Sequence, residues 1–151
     1  MKGRLVVMKI STKGRYALRM MCTLAANDNG TAIPLRDIAE SQNISVKYLE
    51  QIVPLLSKSK IIKANRGNKG GYIINGKPED HTVGEVLRAT EGSLAPVSCL
   101  EYEPNDCEHL NECATIEIWE GLYKLITEYL DGITIRDIAD KYVDKSDYYC
   151  I

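Results

Sequence analysis

Between Cys99 and Trp119 the chain reads CLEYEPNDCEHLNECATIEIW, and three of its five cysteines fall there at C-x7-C-x5-C spacing. Thiolates are soft donors: they ligate iron–sulfur clusters, they hold tetrahedral zinc together with imidazole, and as free thiols they take part in redox exchange. Three readings of Cys99, Cys107 and Cys113 therefore stand open. They are an iron–sulfur cluster, a zinc site completed by His109, and redox-active or structural thiols. A structural disulfide fits less well, because an odd number of cysteines leaves one unpaired and a reducing cytosol opposes the bond. Glu101, Glu103, Asp106, Glu108 and Glu112 crowd the same stretch and would disfavour adding an electron to a centre held there.

The elements around this stretch are sharply divided by charge. Through residue 77 there are 14 Lys and Arg against 4 Asp and Glu, a balance of +10; beyond it there are 5 against 17, a balance of −12. A net charge of −2 thus hides a half suited to a polyanion and a half that is acidic. At 151 residues and 44% hydrophobic content the chain can bury one ordinary core, as a single domain or a small domain with a helical arm. No apolar run approaches the roughly 18 residues that span a bilayer, and MKGRLVVMKI has too short an apolar centre for a secretory signal. Residues 1–7 are expected to be an N-terminal extension, and the expected location is the cytoplasm, away from membranes.

In the basic half, Ser11 is an N-cap for a helix whose apolar positions Ala17, Met20, Met21, Leu24 and Ala25 recur at helical spacing. Cys22, inside that helix, reads as a small buried hydrophobe. Pro34 suits the first turn of a second helix, with Leu35, Ile38 and Ala39 on one face. After a break at Gln42-Asn43-Ile44, Ser45 caps a third, carrying Leu49, Ile52, Val53 and Leu56, with a kink or boundary expected at Pro54. Two short helices across a tight polar turn form a helix-turn-helix, whose second helix presents its first residues to a major groove. The predicted exposed set there is Ser45, Lys47, Tyr48, Glu50 and Gln51, rich in donors and acceptors for bases and phosphates. Strands over 61–66 and 72–75, with GNKGG between them, make a basic hairpin or wing, placing Arg66 and Lys69 to reach phosphates or a minor groove.

The acidic half begins with a helix from Val83 to about Thr90, capped by Thr82 and stopped by Gly92; His81 reads as structural or solvent-exposed. TIEIWEGLYKLITEYLDG is a strongly amphipathic helix, with Ile118, Trp119, Leu122, Leu125, Ile126 and Tyr129 in a stripe that must cover the body, a second copy, or both. Thr134 opens a short last helix, IRDIADKYV, before a polar-aromatic tail, DKSDYYCI. No Gly-rich phosphate loop and no nucleophile–base motif is present, which argues against an enzyme.

The runs MKISTKGRYALRMM, ISVKYLEQIVPLL, RGNKGGYII and VGEVLRATEG resemble the Rrf-type bacterial transcription regulators, among them IscR, NsrR and CymR, over residues 8–151. The resemblance implies a mainly helical fold with a small β-wing, a winged helix-turn-helix dimer bound to a palindromic operator and joined through a long helix at 115–131. It places Ser45, Lys47, Tyr48, Glu50 and Gln51 on the recognition helix, Arg66 in the wing, and Lys13 and Arg15 near the DNA backbone. In cluster-binding members, three cysteines just before an aromatic-led long helix ligate iron. Cys99, Cys107 and Cys113 match them, for an iron–sulfur cluster of [2Fe–2S] ahead of [4Fe–4S] type, with zinc as runner-up. The fourth ligand is unassigned: one branch has a histidine where this chain has Ile116, another an acid where it has Arg15, and His109 or Glu117 are candidates. The tail also resembles that of CymR, which lacks the cysteines, so a cysteine-metabolism repressor gripped at its tail by a cysteine-synthesis enzyme is the alternative. The expected layout is an extension at 1–7, a reader at 8–92, a sensor loop at 93–114, and a dimer helix with C-terminal helix and tail at 115–151.

Overall fold

The computed structural model describes residues 9–148, so the expected extension at 1–7 and the last residues, Cys150 among them, lie outside the described residues. Helix α1 (Thr12–Ala26) starts where expected: Ser11 Oγ accepts from the Gly14 N–H at 3.3 Å. Both the N–H and the hydroxyl of Ser11 in turn donate to Glu91, at 3.0 and 2.6 Å, fastening the start of α1 to the end of a later helix. Helices α2 (Leu35–Gln42) and α3 (Val46–Lys58) follow, then an antiparallel hairpin of β1 (Ile62–Asn65) and β2 (Gly71–Ile74), in register Ile62↔Ile74 through Asn65↔Gly71. Ile33 and Tyr72 exchange two backbone hydrogen bonds, at 3.0 and 2.9 Å, which tie the hairpin to the segment entering α2. A Cβ on Gly71 would overlap the Ile33 carbonyl, so only glycine allows that close approach.

Helix α4 (Val83–Glu91) opens with a reciprocal cap, the Glu85 N–H donating to Thr82 Oγ1 and the Thr82 N–H to the Glu85 carboxylate, at 3.1 and 2.9 Å. Helix α5 (Ile116–Asp131) and helix α6 (Ile135–Tyr148) complete the chain. The principal core gathers Met20, Met21, Ile38, Leu49, Ile52, Leu56 and Val86, and α6 closes it with Ile135 and Ala139. A smaller cluster of Val83, Leu87 and Leu94 seats α4 against Tyr123, Ile126 and Leu130 of α5.

Two expectations are corrected, the first in part. Of the kink or boundary expected at Pro54 the boundary is absent, and α3 continues to Lys58. The buried Ile52, Val53 and Leu56 hold the turns on either side to the core, and that burial outweighs the one hydrogen bond proline removes. The final helix is not short: it extends through Tyr148, taking in most of the segment read as tail, because its docked first turns nucleate the rest.

One ion pair holds the junction of α4 and α5. Arg88 donates to both carboxylate oxygens of Asp131 at 2.8 Å, and Thr82 adds a longer contact of 3.4 Å. The hydrogen bond from Arg88 is the main reason the Asp131 carboxyl titrates below its ordinary value of 3.8. A depressed folded-state value contributes stability above the unfolded value and loses it as pH falls through the folded one. We expect Asp131→Asn to lower unfolding free energy at pH 7 by on the order of 1 kcal/mol, since a bidentate pair at partial exposure is screened. Urea titrations at pH 7 and at pH 3 should show a larger wild-type advantage at the first than at the second. An equal difference at both would refute this role.

Candidate nucleic-acid interface and cysteine loop

The reader is built from a turn of three residues. Helix α2 ends at Gln42, and Asn43 takes a left-handed conformation at φ 52°, which asparagine tolerates better than most side chains. That turn lets the N–H groups of Asn43 and Ile44 reach the Glu40 and Ala39 carbonyls at 3.2 and 3.0 Å. Ser45 then caps α3, accepting from the Tyr48 N–H at 3.1 Å. With Leu49, Ile52 and Leu56 buried, Lys47, Glu50 and Gln51 share the outer face of α3 and Ser45 stands exposed at its tip.

Tyr48 departs from its predicted exposure. It is half-buried, its ring edge-on to Tyr16 of α1 with centroids 5.2 Å apart and planes at 76°. An aromatic ring one position before Leu49 gains more by covering the core than by standing in water. Arg66 and Lys69 are exposed in the turn between β1 and β2, with Lys63 exposed on β1 itself. Arg15 is exposed on the first turn of α1, its guanidinium 3.2 Å from the Thr12 hydroxyl, and Lys13 beside it is half-buried. The predicted DNA-facing residues thus lie on three elements: the start of α1, the outer face of α3 and the tip of the hairpin.

The cysteine stretch is a loop with two short 3-10 turns, at Ser98–Leu100 and Leu110–Glu112. Cys99 sits in the first turn and Cys113 follows the second, while the backbone N–H of Cys107 donates to Asn105 Oδ1 at 3.0 Å; all three thiols are half-buried. Cys113 Sγ lies 3.6 Å from the Thr115 hydroxyl, and hydrogen bonds from Thr115 pull its thiol below the ordinary value. Three thiols suit an iron–sulfur centre as a donor set. The arrangement is another matter: among the described residues no three His, Cys, Asp or Glu side chains stand together where they could hold a metal ion. His109 and Glu117, the candidate fourth ligands, are both exposed, and the zinc set of three cysteines with His109 is not assembled. The physical reason lies in the spacing: separations of seven and five residues leave the loop free to fold around its own turns, where a two-residue separation would force neighbouring thiols together.

The pattern of the Rrf2 family, described as an iron-dependent transcriptional regulator, matches residues 10–141. The chain belongs to the Rrf2 family. Among curated Rrf2-like relatives, the transcriptional regulator CymR of Bacillus subtilis is 39% identical over 132 residues, covering 87% of this chain and 90% of that protein. IscR of Aliivibrio salmonicida is 35% identical, covering 87% and 77%. Among solved structures, that of CymR, the global cysteine regulator of B. subtilis, superposes with a TM-score of 0.72 at 37% identity, covering 88% of this chain and 97% of that one. The T. potens IscR structure does so at 0.70 and 36%, covering 89% and 88%. The mainly helical fold with a two-stranded wing is that of these winged-helix proteins, and the chain is a transcription regulator, not an enzyme. No helix of the described residues is long and apolar enough to cross a membrane.

The sequence reading missed the ties that hold the site in place: Arg88 to Asp131, and Tyr16 to Tyr48. Neither pair leaves a local or periodic signal in the chain. The thiols of this Rrf2 protein also differ in reactivity. Burial pushes the Cys22 thiol up to about 11, while Cys113 is drawn down, and the thiolate is the reacting species. In metal-free protein at pH 7.5, iodoacetamide should modify Cys113 well before Cys22, as read by peptide mass spectrometry over time. Thr115→Val should slow modification of Cys113 alone; an unchanged rate would refute the assignment.

Proposed function

We propose that the chain is a cytoplasmic, homodimeric transcription regulator, a repressor, that reads a palindromic operator through α3 and the wing. The observation that carries this reading is the exposed set Ser45, Lys47, Glu50 and Gln51 on a capped helix beside a hairpin carrying exposed Lys63, Arg66 and Lys69, all within the half of the chain with a charge of +10. The dimer is supported by α5, on which Ile118, Leu125 and Tyr129 are 62, 64 and 70% exposed at helical spacing, while Tyr123, Ile126 and Leu130 face the body. A second copy paired there across a twofold axis would present two readers, and a twofold pair of readers requires a palindromic site. On this reading residues 8–92 are the DNA-binding part, 93–114 the sensing loop, and 115–151 the dimer helix with its C-terminal extension.

The sensing chemistry we assign to Cys99, Cys107 and Cys113, as ligands of an iron–sulfur cluster, [2Fe–2S] ahead of [4Fe–4S], in a regulator of cluster biogenesis or cysteine and sulfur metabolism. Their supply of three thiolates within one loop supports it, as does the family's iron dependence. Because the three thiols do not stand together as folded, ligation requires the loop to close, with His109, Glu117 or an exogenous group as fourth ligand. That same separation favours a second reading, a cysteine-metabolism regulator without a cluster, in line with its similarity to the B. subtilis cysteine regulator. Control would then come from a cysteine-synthesis enzyme binding the C-terminal tail.

Two measurements test these readings. A duplex enriched by the protein from a random pool should be palindromic and bind more tightly than a shuffled one. Arg66→Ala should weaken both duplexes and reduce the slope of log affinity against log salt by about 1, as loss of one phosphate contact does. No enrichment would remove the DNA reading. For the loop, protein purified without oxygen should contain iron and acid-labile sulfide and absorb visible light, and Cys107→Ala should lose all three. Colourless protein without sulfide, even after reconstitution, would leave the cluster-free reading.

A further inference from the structure

One face of α1 holds the helix-turn-helix in place. Tyr16, Arg19 and Thr23 stand at i, i+3 and i+7, so they share a side of that helix. Thr23 and Gln42 are the buried polar residues of the described core, at 4 and 5% exposure, and Gln42 is the last residue of α2 before the turn. A buried amide needs partners at both ends. Gln42 finds them on α1: its Nε2 donates to Thr23 Oγ1 at 2.8 Å and its Oε1 accepts from Arg19 Nε at 3.0 Å. A second nitrogen of Arg19, Nη2, donates to the Gln42 backbone carbonyl. The guanidinium also lies over the Tyr16 ring, 5.3 Å from its centroid, and Tyr16 is the ring that Tyr48 of α3 meets edge-on.

Arg19 is an exposed cation beside a DNA reader, and the simplest assignment for such a residue is a phosphate contact. Its geometry points elsewhere. Two of its nitrogens are committed to the turn between α2 and α3, and its face is committed to the ring that braces α3. We propose that Arg19 is a positioning residue for operator reading: with Gln42 and the Tyr16–Tyr48 pair it sets the placement of the recognition helix against α1. A lysine cannot replace it, because an ammonium has no planar fork to reach two acceptors of Gln42 while lying flat on a ring.

The inference rests on the DNA reading above, and its test separates the two. Wild type, Arg19→Lys, Arg19→Ala and Gln42→Leu are titrated with the pool-selected duplex and with a shuffled duplex of equal length, over a range of salt. Circular dichroism confirms that each is folded at the temperature used. We expect Arg19→Lys and Arg19→Ala alike to bind the selected duplex about tenfold more weakly, the scale of losing charge-assisted hydrogen bonds, with the shuffled duplex within about twofold of wild type and the salt slope unchanged. Gln42→Leu should reproduce the loss, and combining it with Arg19→Ala should add little. Arg19→Lys binding like wild type while Arg19→Ala reduces the salt slope by about 1 would make the residue a phosphate contact and overturn the proposal. So would variants with lowered Tm that bind the selected duplex at wild-type affinity, the mark of a stabilising role alone. Arg19→Lys at an exposed position keeps the test open if Gln42→Leu fails to fold. A wild type that selects no duplex overturns the DNA reading and this inference with it.

Discussion

Met20 and Met21 are consecutive in α1, and neither has any exposed surface. Neighbouring side chains on a helix point about 100° apart, so burying both requires cover over more than one face. That constraint organises the molecule. Helices α2 and α3 supply cover through Ile38, Leu49, Ile52 and Leu56, α4 through Val86, and α6 returns from the far end of the chain with Ile135 and Ala139. Large unbranched side chains such as methionine fill the irregular space where several helices meet better than β-branched ones would. The core beneath the helix-turn-helix therefore does not close where the hairpin ends. It is completed by a helix that begins some sixty residues after β2.

Because α1 is enclosed in this way, the polar groups that reach it from α2 must be matched, and they are. Gln42 meets Thr23 and Arg19, and the start of α1 meets Glu91 through both hydrogen bonds of Ser11. Gly14, buried beside Glu91, leaves room for that carboxylate where a Cβ would collide with it. These contacts fix α4 and the helix-turn-helix to the same rod. The helix-turn-helix and the helix leading into the cysteine loop are thus parts of one packed body.

Much of this was legible in the chain. Ser11, Ser45 and Thr82 announce three helix starts because a cap is a local bargain between one side chain and N–H groups two or three residues on. The apolar positions of α1, α2 and α3 follow from helical periodicity, and the glycines from 67 to 71 mark the hairpin turn. What was not legible depends on partners distant in sequence. The Arg88–Asp131 pair spans 43 residues and Arg19–Gln42 spans 23, and neither leaves a periodic signal. Tyr48 read as exposed on the recognition helix, and its packing on Tyr16, on another helix, left no local signal. The cysteine spacing named a donor set, but spacings of seven and five residues impose no geometry on it.

The way α5 is anchored determines which part of the molecule a change in the cysteine loop would move most readily. Its last turn is clamped: Asp131 meets Arg88 and Thr82, Leu130 packs against Val83, Leu87 and Leu94, and the Ile133 carbonyl just beyond it accepts from the Val83 N–H at 2.9 Å. Among the described residues its first turn has no such hold. Ile118 is exposed, no residue of the helix is fully buried, and the loop with its three thiols feeds directly into that end. Within one copy, a reorganised loop would displace the start of α5 at less cost than the reader, whose movement would mean breaking the clamp and the core around α1. A ligand shifts an equilibrium only by its differential affinity for two arrangements, and the end of α5 nearest the loop is the one with fewest contacts to the body. On the proposed dimer reading the exposed apolar face of α5 is the one a second copy covers, and loop chemistry would then act on the separation of two readers and leave the fold of each intact.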